Sequence, residues 1–132
     1  MPKERYCAQT VFDAPWYSQG IKATGAGTIL YISGQVPQDA KGNVVGKGDF
    51  AAQARQVLSN LKAMVEAGGG RLEDVVKLTF YLADMRYRRD LVAIREEFFG
   101  PKIPASTMIT TPALAFRDYM LEVECTAFVE GR

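Results

Sequence analysis

The hydrophobic period of this chain changes at Asp49 and again at Val75, and those two switches limit the folds open to it. From Asp49 onward Phe50, Ala54, Val57, Leu58, Leu61, Met64 and Val65 recur at spacings of three and four, the stripe of an amphipathic helix. Gln53, Arg55, Gln56, Asn60, Lys62 and Glu66 fill the rest of its circumference. Asp49 is placed to cap the start of this helix and Gly68 to stop it. Over Val75 to Leu82 the period is two, with Val76, Leu78, Phe80 and Leu82 on one face and Val75, Lys77, Thr79 and Tyr81 on the other. A second helix is predicted over 84–100, packed by Leu91, Ile94 and Phe98 and ended by Pro101 and Pro104. Strands are predicted at 106–110 and 120–129, separated by a loop from Thr111 to Asp118. In the last strand Leu121, Val123, Cys125 and Ala127 alternate with Glu122, Glu124 and Thr126. Ahead of the first helix, 22–24 and 28–33 flank a glycine-bearing turn and read as a hairpin, followed by a loop from Pro37 to Gly48.

The order is therefore strands, helix, strand, helix, strands, an α+β arrangement with one mixed sheet. Right-handed crossovers place both helices on the same side of that sheet. At 132 residues and 48% hydrophobic, the chain suits a single domain, 1–132, with a real core. The second face of the sheet then has no cover. It carries Tyr81, Thr79, Val75 and the Glu122 and Glu124 row, too apolar for water and too polar for a dry core. Another copy of the chain is the natural remedy, giving a closed symmetric oligomer with ligand clefts between subunits.

Composition removes several classes of function. There is no histidine, so neither a Ser-His or Cys-His couple nor an imidazole metal ligand is available. Acid and base work falls to Glu, Asp, Tyr, Lys, a thiol or water. Sixteen basic residues against 15 acidic give no general attraction to nucleic acid or an anionic membrane. No run approaches the roughly 18 apolar residues of a membrane span. The charged first twenty residues do not read as a secretory signal, and the expected location is the cytoplasm. Cys7 and Cys125 match no metal spacing and read as packing residues rather than a disulfide. No phosphate-cradling or dinucleotide-binding glycine pattern is present.

The strand around Ile29 to Tyr31 ends in Ser33-Gly34-Gln35-Val36-Pro37, a polar elbow with a glycine between a hydroxyl and an amide. Such an elbow presents backbone N–H groups and polar side chains at a sheet edge, where a small polar ligand can bind. It equally suits a tight turn whose Ser33 and Gln35 satisfy their own backbone.

Taken together, Pro15-Trp16-Tyr17-Ser18-Gln19, the 30–37 strand and elbow, the 53–61 helix, Val75 to Thr79, Ile103 to Thr107 and Leu121 to Glu124 resemble the Rid family, the YjgF/RidA group of imine and enamine deaminases. The resemblance runs from about Ala14 to Phe128. It implies a chorismate-mutase-like fold, a homotrimer, and three clefts between neighbouring subunits. It further implies cofactor-free, metal-free hydrolysis of small 2-imino or 2-amino-unsaturated acids, of the 2-aminoacrylate, 2-iminopropanoate or aminomuconate kind. In that scheme Glu122 matches the glutamate that positions the attacking water, Tyr17 the accompanying tyrosine, and Gly34 the glycine of the elbow.

Three positions depart from the family pattern. Ser106 stands where the substrate-clamping arginine is expected, Met108 where a cysteine or similar residue is, and Val92 where the second helix has an asparagine. The chain thus resembles a member without the carboxylate clamp, and Ser106 suits a neutral or smaller ligand. Arg117, in the 111–118 loop, is the candidate substitute cation; the alternative is a solvated loop arginine beside Asp118. Arg86, Arg88 and Arg89 read as a surface cluster. Two functions follow: an enamine or imine deaminase using Glu122, or a binding or regulatory trimer that keeps the cleft without the chemistry. RNA cleavage, attached to some relatives, has no support in this sequence beyond the family name.

Overall fold

A computed structural model of the chain describes residues 2–101 and 103–131. Among these, nine elements succeed one another: β1 (Lys3–Tyr6), β2 (Tyr17–Ser18), β3 (Gly20–Ala23), β4 (Gly27–Gln35), α1 (Phe50–Ala67), β5 (Val75–Leu82), α2 (Arg88–Phe99), β6 (Ile103–Thr110) and β7 (Leu121–Glu130). Five strands form one mixed sheet in the order β2-β6-β5-β7-β4, with β6 parallel to β2 and β5, and β7 antiparallel to β5 and β4. Both helices pack on one face of it. Val57, Leu58 and Leu61 of α1 and Leu91 and Ile94 of α2 meet Leu78, Phe80, Leu121, Val123 and Ala127 in one core. This is the expected α+β architecture.

The helix ends follow from local chemistry. Asp49 caps α1 by accepting from the Ala52 N–H at 3.1 Å. At the other end Gly69 takes the left-handed φ of +92°, and Gly70 N–H returns to the Val65 carbonyl at 3.0 Å. Asp84 caps not the helix itself but a short helical turn, Met85–Tyr87, so α2 begins at Arg88.

Three expectations need correction. The hairpin over 22–33 does not form: β3 pairs with β1, while β4 runs along β7 from Gly27 opposite Glu130. The ten residues of β7 offer β4 a full-length ladder, whereas β3 offers four residues. Val76 leaves the core and Val75 enters it, because the β5–β7 register shifts between Val75 and Lys77. That bulge turns the alternation over at the start of the strand. In α1, Met64 is 47% exposed while Gln53 is fully buried. The inward stripe runs through 50, 53–54, 57–58, 61 and 65. No described helix is long and apolar enough to cross a membrane.

The second face of the sheet carries Ile29, Tyr31, Lys77, Thr79, Tyr81, Glu122 and Glu124, by the parity of the strand register. Tyr31 is 81% and Ile29 51% exposed there.

Candidate active site

The elbow at the end of β4 is a β-bulge. Ile32 pairs with Cys125 and Gln35 with Val123, so Ser33 and Gly34 share the length that Glu124 fills alone on β7. The bulge brings the Gly34 backbone against Glu122: a Cβ at position 34 would lie 1.9 Å from Glu122 Oε2. Only a residue without a side chain leaves that carboxylate where it is. Helix α1 then holds the chain beyond the elbow. Asn60 Nδ2 donates to the Val36 carbonyl at 3.1 Å and the Gln38 carbonyl at 2.9 Å, and Gln38 Nε2 donates to Tyr119 Oη at 2.5 Å. Gln35 Nε2 donates to the Ser33 carbonyl at 2.9 Å, so the amide satisfies its own turn, and Ser33 is exposed.

Glu122 lies opposite Tyr81 on the second face and is half-buried. Among the described residues it makes no ion pair. Beside it the Tyr81 hydroxyl donates to Glu124 in a short bond. That bond holds the phenol above its usual pKa, with burial and the charges of Glu124 and Glu122 acting in the same direction.

A second group of residues gathers at the opposite edge of the sheet. The short parallel pairing of β2 with β6 is secured by Ser18 Oγ donating to the Ile103 carbonyl and Ile103 N–H to the Trp16 carbonyl, both at 3.1 Å. It lays Trp16 and Tyr17 beside β6. Ser106 and Met108 register with Leu78 and Phe80, so they face the helix layer. With Trp16, Tyr17 and Arg88, Arg89, Val92 and Arg95 of α2 they line a cleft of about 450 Å³.

Arg95 is a residue of this cleft that the sequence pattern did not single out. It is 7% exposed, its guanidinium carbon lies 5.9 Å from the Phe80 ring centroid, and its Nε has no hydrogen-bond partner. Burial lowers its pKa, Glu96 opposes the shift and Arg88 adds to it. The group nevertheless stays a cation at neutral pH. The usable signal was its spacing: Arg95 falls four residues after Leu91 and three before Phe98, inside the apolar stripe.

The predicted site residues thus fall into two sets. Tyr17, Ser106 and Met108 meet at the β2–β6 edge under α2, while Ser33, Gly34 and Glu122 meet near the β4 edge, with Glu122 on the other face. Arg117 is exposed in the loop after β6 and is not among the residues lining the cleft under α2. Arg86 binds Asp84 at 2.6 Å, as expected of a surface residue, whereas Arg88 and Arg89 border the cleft.

Comparison with known proteins gives a consistent picture. The family model described as endoribonuclease L-PSP matches residues 11–129. The chain is 42% identical over 114 residues to a RutC family protein of Pyrococcus horikoshii, covering 86% of this chain and 87% of that one. It is 36% identical to a protein of Salmonella typhimurium named 2-iminobutanoate/2-iminopropanoate deaminase, covering 84% and 85%. Among solved structures it is similar to a Rid protein of unknown function, YyfB from Yersinia pestis. There the TM-score is 0.85, the identity 31%, and the coverage 96% and 98% of the two chains.

Proposed function

This chain belongs to the Rid family, and on that premise we propose that it hydrolyses a small imine or enamine acid to the corresponding oxo acid and ammonia. The working clefts lie between neighbouring copies, with Glu122 positioning the water. One observation carries the proposal: the Glu122 carboxylate is seated against the Gly34 bulge, at a place where any side chain would displace it.

The chemistry asks little more than a placed base. Glu122 accepts a proton as the water oxygen bonds to the carbon of the protonated C=N, giving a neutral tetrahedral amino alcohol. Glu122 returns that proton to the nitrogen; the C–N bond then breaks and ammonia leaves, while the hydroxyl proton passes to the Glu122 carboxylate as the C=O forms. An enamine enters the same route after tautomerising to the imine. Water addition to C=N is intrinsically easy, so proximity and one general base account for the acceleration asked of the protein.

Two copies are invoked because one cannot assemble the site. Ser106 faces the helix layer and Glu122 the other side of the same sheet, near opposite edges. Joining the β2–β6 edge of one copy to the β4 side of the next brings the two sets together, and a head-to-tail contact of this kind closes into a ring, in this reading a trimer. The contact also covers Tyr31 and Ile29. The same reading puts the protein in the cytoplasm, with a small imine, enamine or carboxylate ligand as its partner and no cofactor.

The test is ammonia release from imino acids generated in situ from amino acids by an oxidase. Glu122→Ala is expected to abolish the acceleration with the oligomer intact; unchanged turnover removes Glu122 from its role. A non-catalytic binding trimer is the second reading, favoured by Ser106 at the expected arginine position. It is supported if ligands raise the unfolding temperature while no product accumulates.

A further inference from the structure

Three arginines share the cleft under α2, and no acidic side chain is among its lining residues. Among the described residues, Arg88, Arg89 and Arg95 make no ion pair, whereas Arg55 and Arg86 each do. The chain as a whole is nearly neutral, with 16 basic and 15 acidic residues, so this is a local concentration of charge. Arg95 is the most telling of the three. It is 7% exposed, yet its Nε donates to nothing. A buried, unpaired donor on a cation is costly, and folded proteins retain such a group chiefly where a ligand or ordered water completes it. The Phe80 ring supports the guanidinium from within the core. Ser106 lines the same cleft with a side chain short enough to leave room for it.

We propose that Arg95, on helix α2, performs the anion binding that the family resemblance assigns to strand β6, and that the ligand is a small acid carrying two anionic groups, a dicarboxylate. One carboxylate pairs with Arg95 beside Ser106; the other meets Arg88 and Arg89 at the rim. The proposal rests on the imine-hydrolase reading for where substrate sits, and it specifies the substrate class of that same site. A single planar guanidinium suffices for one carboxylate through paired charged hydrogen bonds. Three positive charges lining one cavity repel one another, and Glu122 from a neighbouring copy offsets only one. A dianion offsets the remaining two.

The test uses succinate and propanoate as stable probes, with the intrinsic fluorescence of Trp16, the chain's one tryptophan and a lining residue, as the readout. Succinate is expected to bind at least about tenfold more tightly than propanoate at low ionic strength. Arg95→Gln weakens succinate at least about tenfold, and Arg95→Lys, which keeps the charge but not the fork, recovers part of the loss. Should Arg95→Gln not fold, Ser106→Asp supplies an internal carboxylate to the guanidinium and is expected to produce the same loss. Equal affinity for the two probes, or succinate binding indifferent to both variants, overturns the inference. Because this assay needs no turnover, its failure is separable from failure of the hydrolase reading. Succinate binding through Arg95 without ammonia release sinks only the hydrolysis, and ammonia release with Arg95-independent binding sinks only the anion site.

Discussion

At the residue scale the proposed chemistry turns on space that is kept empty. A methyl group at position 34 would collide with the Glu122 carboxylate where it now lies, since the ideal Cβ would sit 1.9 Å from Oε2. Gly34→Ala is therefore expected to push the carboxylate aside. Ammonia release should fall about 100-fold or more, the worth of one positioned general base, as is expected of Glu122→Ala. Full activity in Gly34→Ala would separate the glycine from the site. The two thiols give an independent check on the core. Burial pushes the Cys125 thiol up to about 12, and Cys7 is half-buried near the surface. A thiol reagent at pH 8 should label Cys7 readily and Cys125 only after unfolding; two equally fast labels would contradict the packing of β7. Strand alternation placed Glu122 and Glu124 alike on the second face, and only the family resemblance singled out Glu122; Gly34 was marked by its place in the elbow. The sequence hid Arg95, because a charged residue within an apolar stripe looks like an interruption until its neighbours are known.

At the scale of elements, the side of α1 expected to face water does structural work. Gln53 Nε2 donates to the Gly46 and Asp118 carbonyls at 3.2 and 2.9 Å, and its Oε1 accepts from the Met120 N–H at 2.9 Å. One buried amide thus ties two loops to the helix, and the second of those loops leads into β7 and Glu122. Gln53→Leu, which keeps the bulk and strands three backbone groups, is expected to lower unfolding stability by about 2–4 kcal/mol in denaturant titration. A change within about 0.5 kcal/mol would show that water replaces those bonds. Tyr81 adds a pH dependence. Its folded-state pKa lies above the ordinary value, so its contribution is complete below about pH 10 and is withdrawn as pH rises through the folded pKa. The stability difference between wild type and Tyr81→Phe should be constant from pH 7 to 9 and shrink above about pH 10. A difference that grows there has the wrong sign for the bond to Glu124. Both helices and the strands at β5 and β7 were legible from period; β6 was read only from Ser106, because Pro104 reads as a helix stop, whereas the strand starts at Ile103. The pairing of β4 with β7 was not, since it depends on a partner about a hundred residues away, and both bulges escaped because a one-residue insertion leaves no trace in composition.

For the whole molecule, the uncovered face was legible because it follows from topology: two helices on one side leave the other side bare. Which edges would meet in the proposed oligomer is a matter of geometry that one chain's pattern does not encode. The fold nonetheless narrows it, with Tyr17, Ser106 and Arg95 at the β2–β6 edge and Gly34 and Glu122 near the β4 edge on the opposite face. Complementation reads this arrangement directly. Two variants are purified separately, Glu122→Gln and Ser106→Trp, the second filling the arginine-lined cleft; each alone is expected to be inactive. They are then unfolded together in equal amounts and refolded. Random mixing should restore about one quarter of wild-type ammonia release, the fraction of contacts that join two intact halves. Mixed oligomers, verified by mass, that recover no activity would mean that each chain carries its site alone, contradicting a site shared between copies.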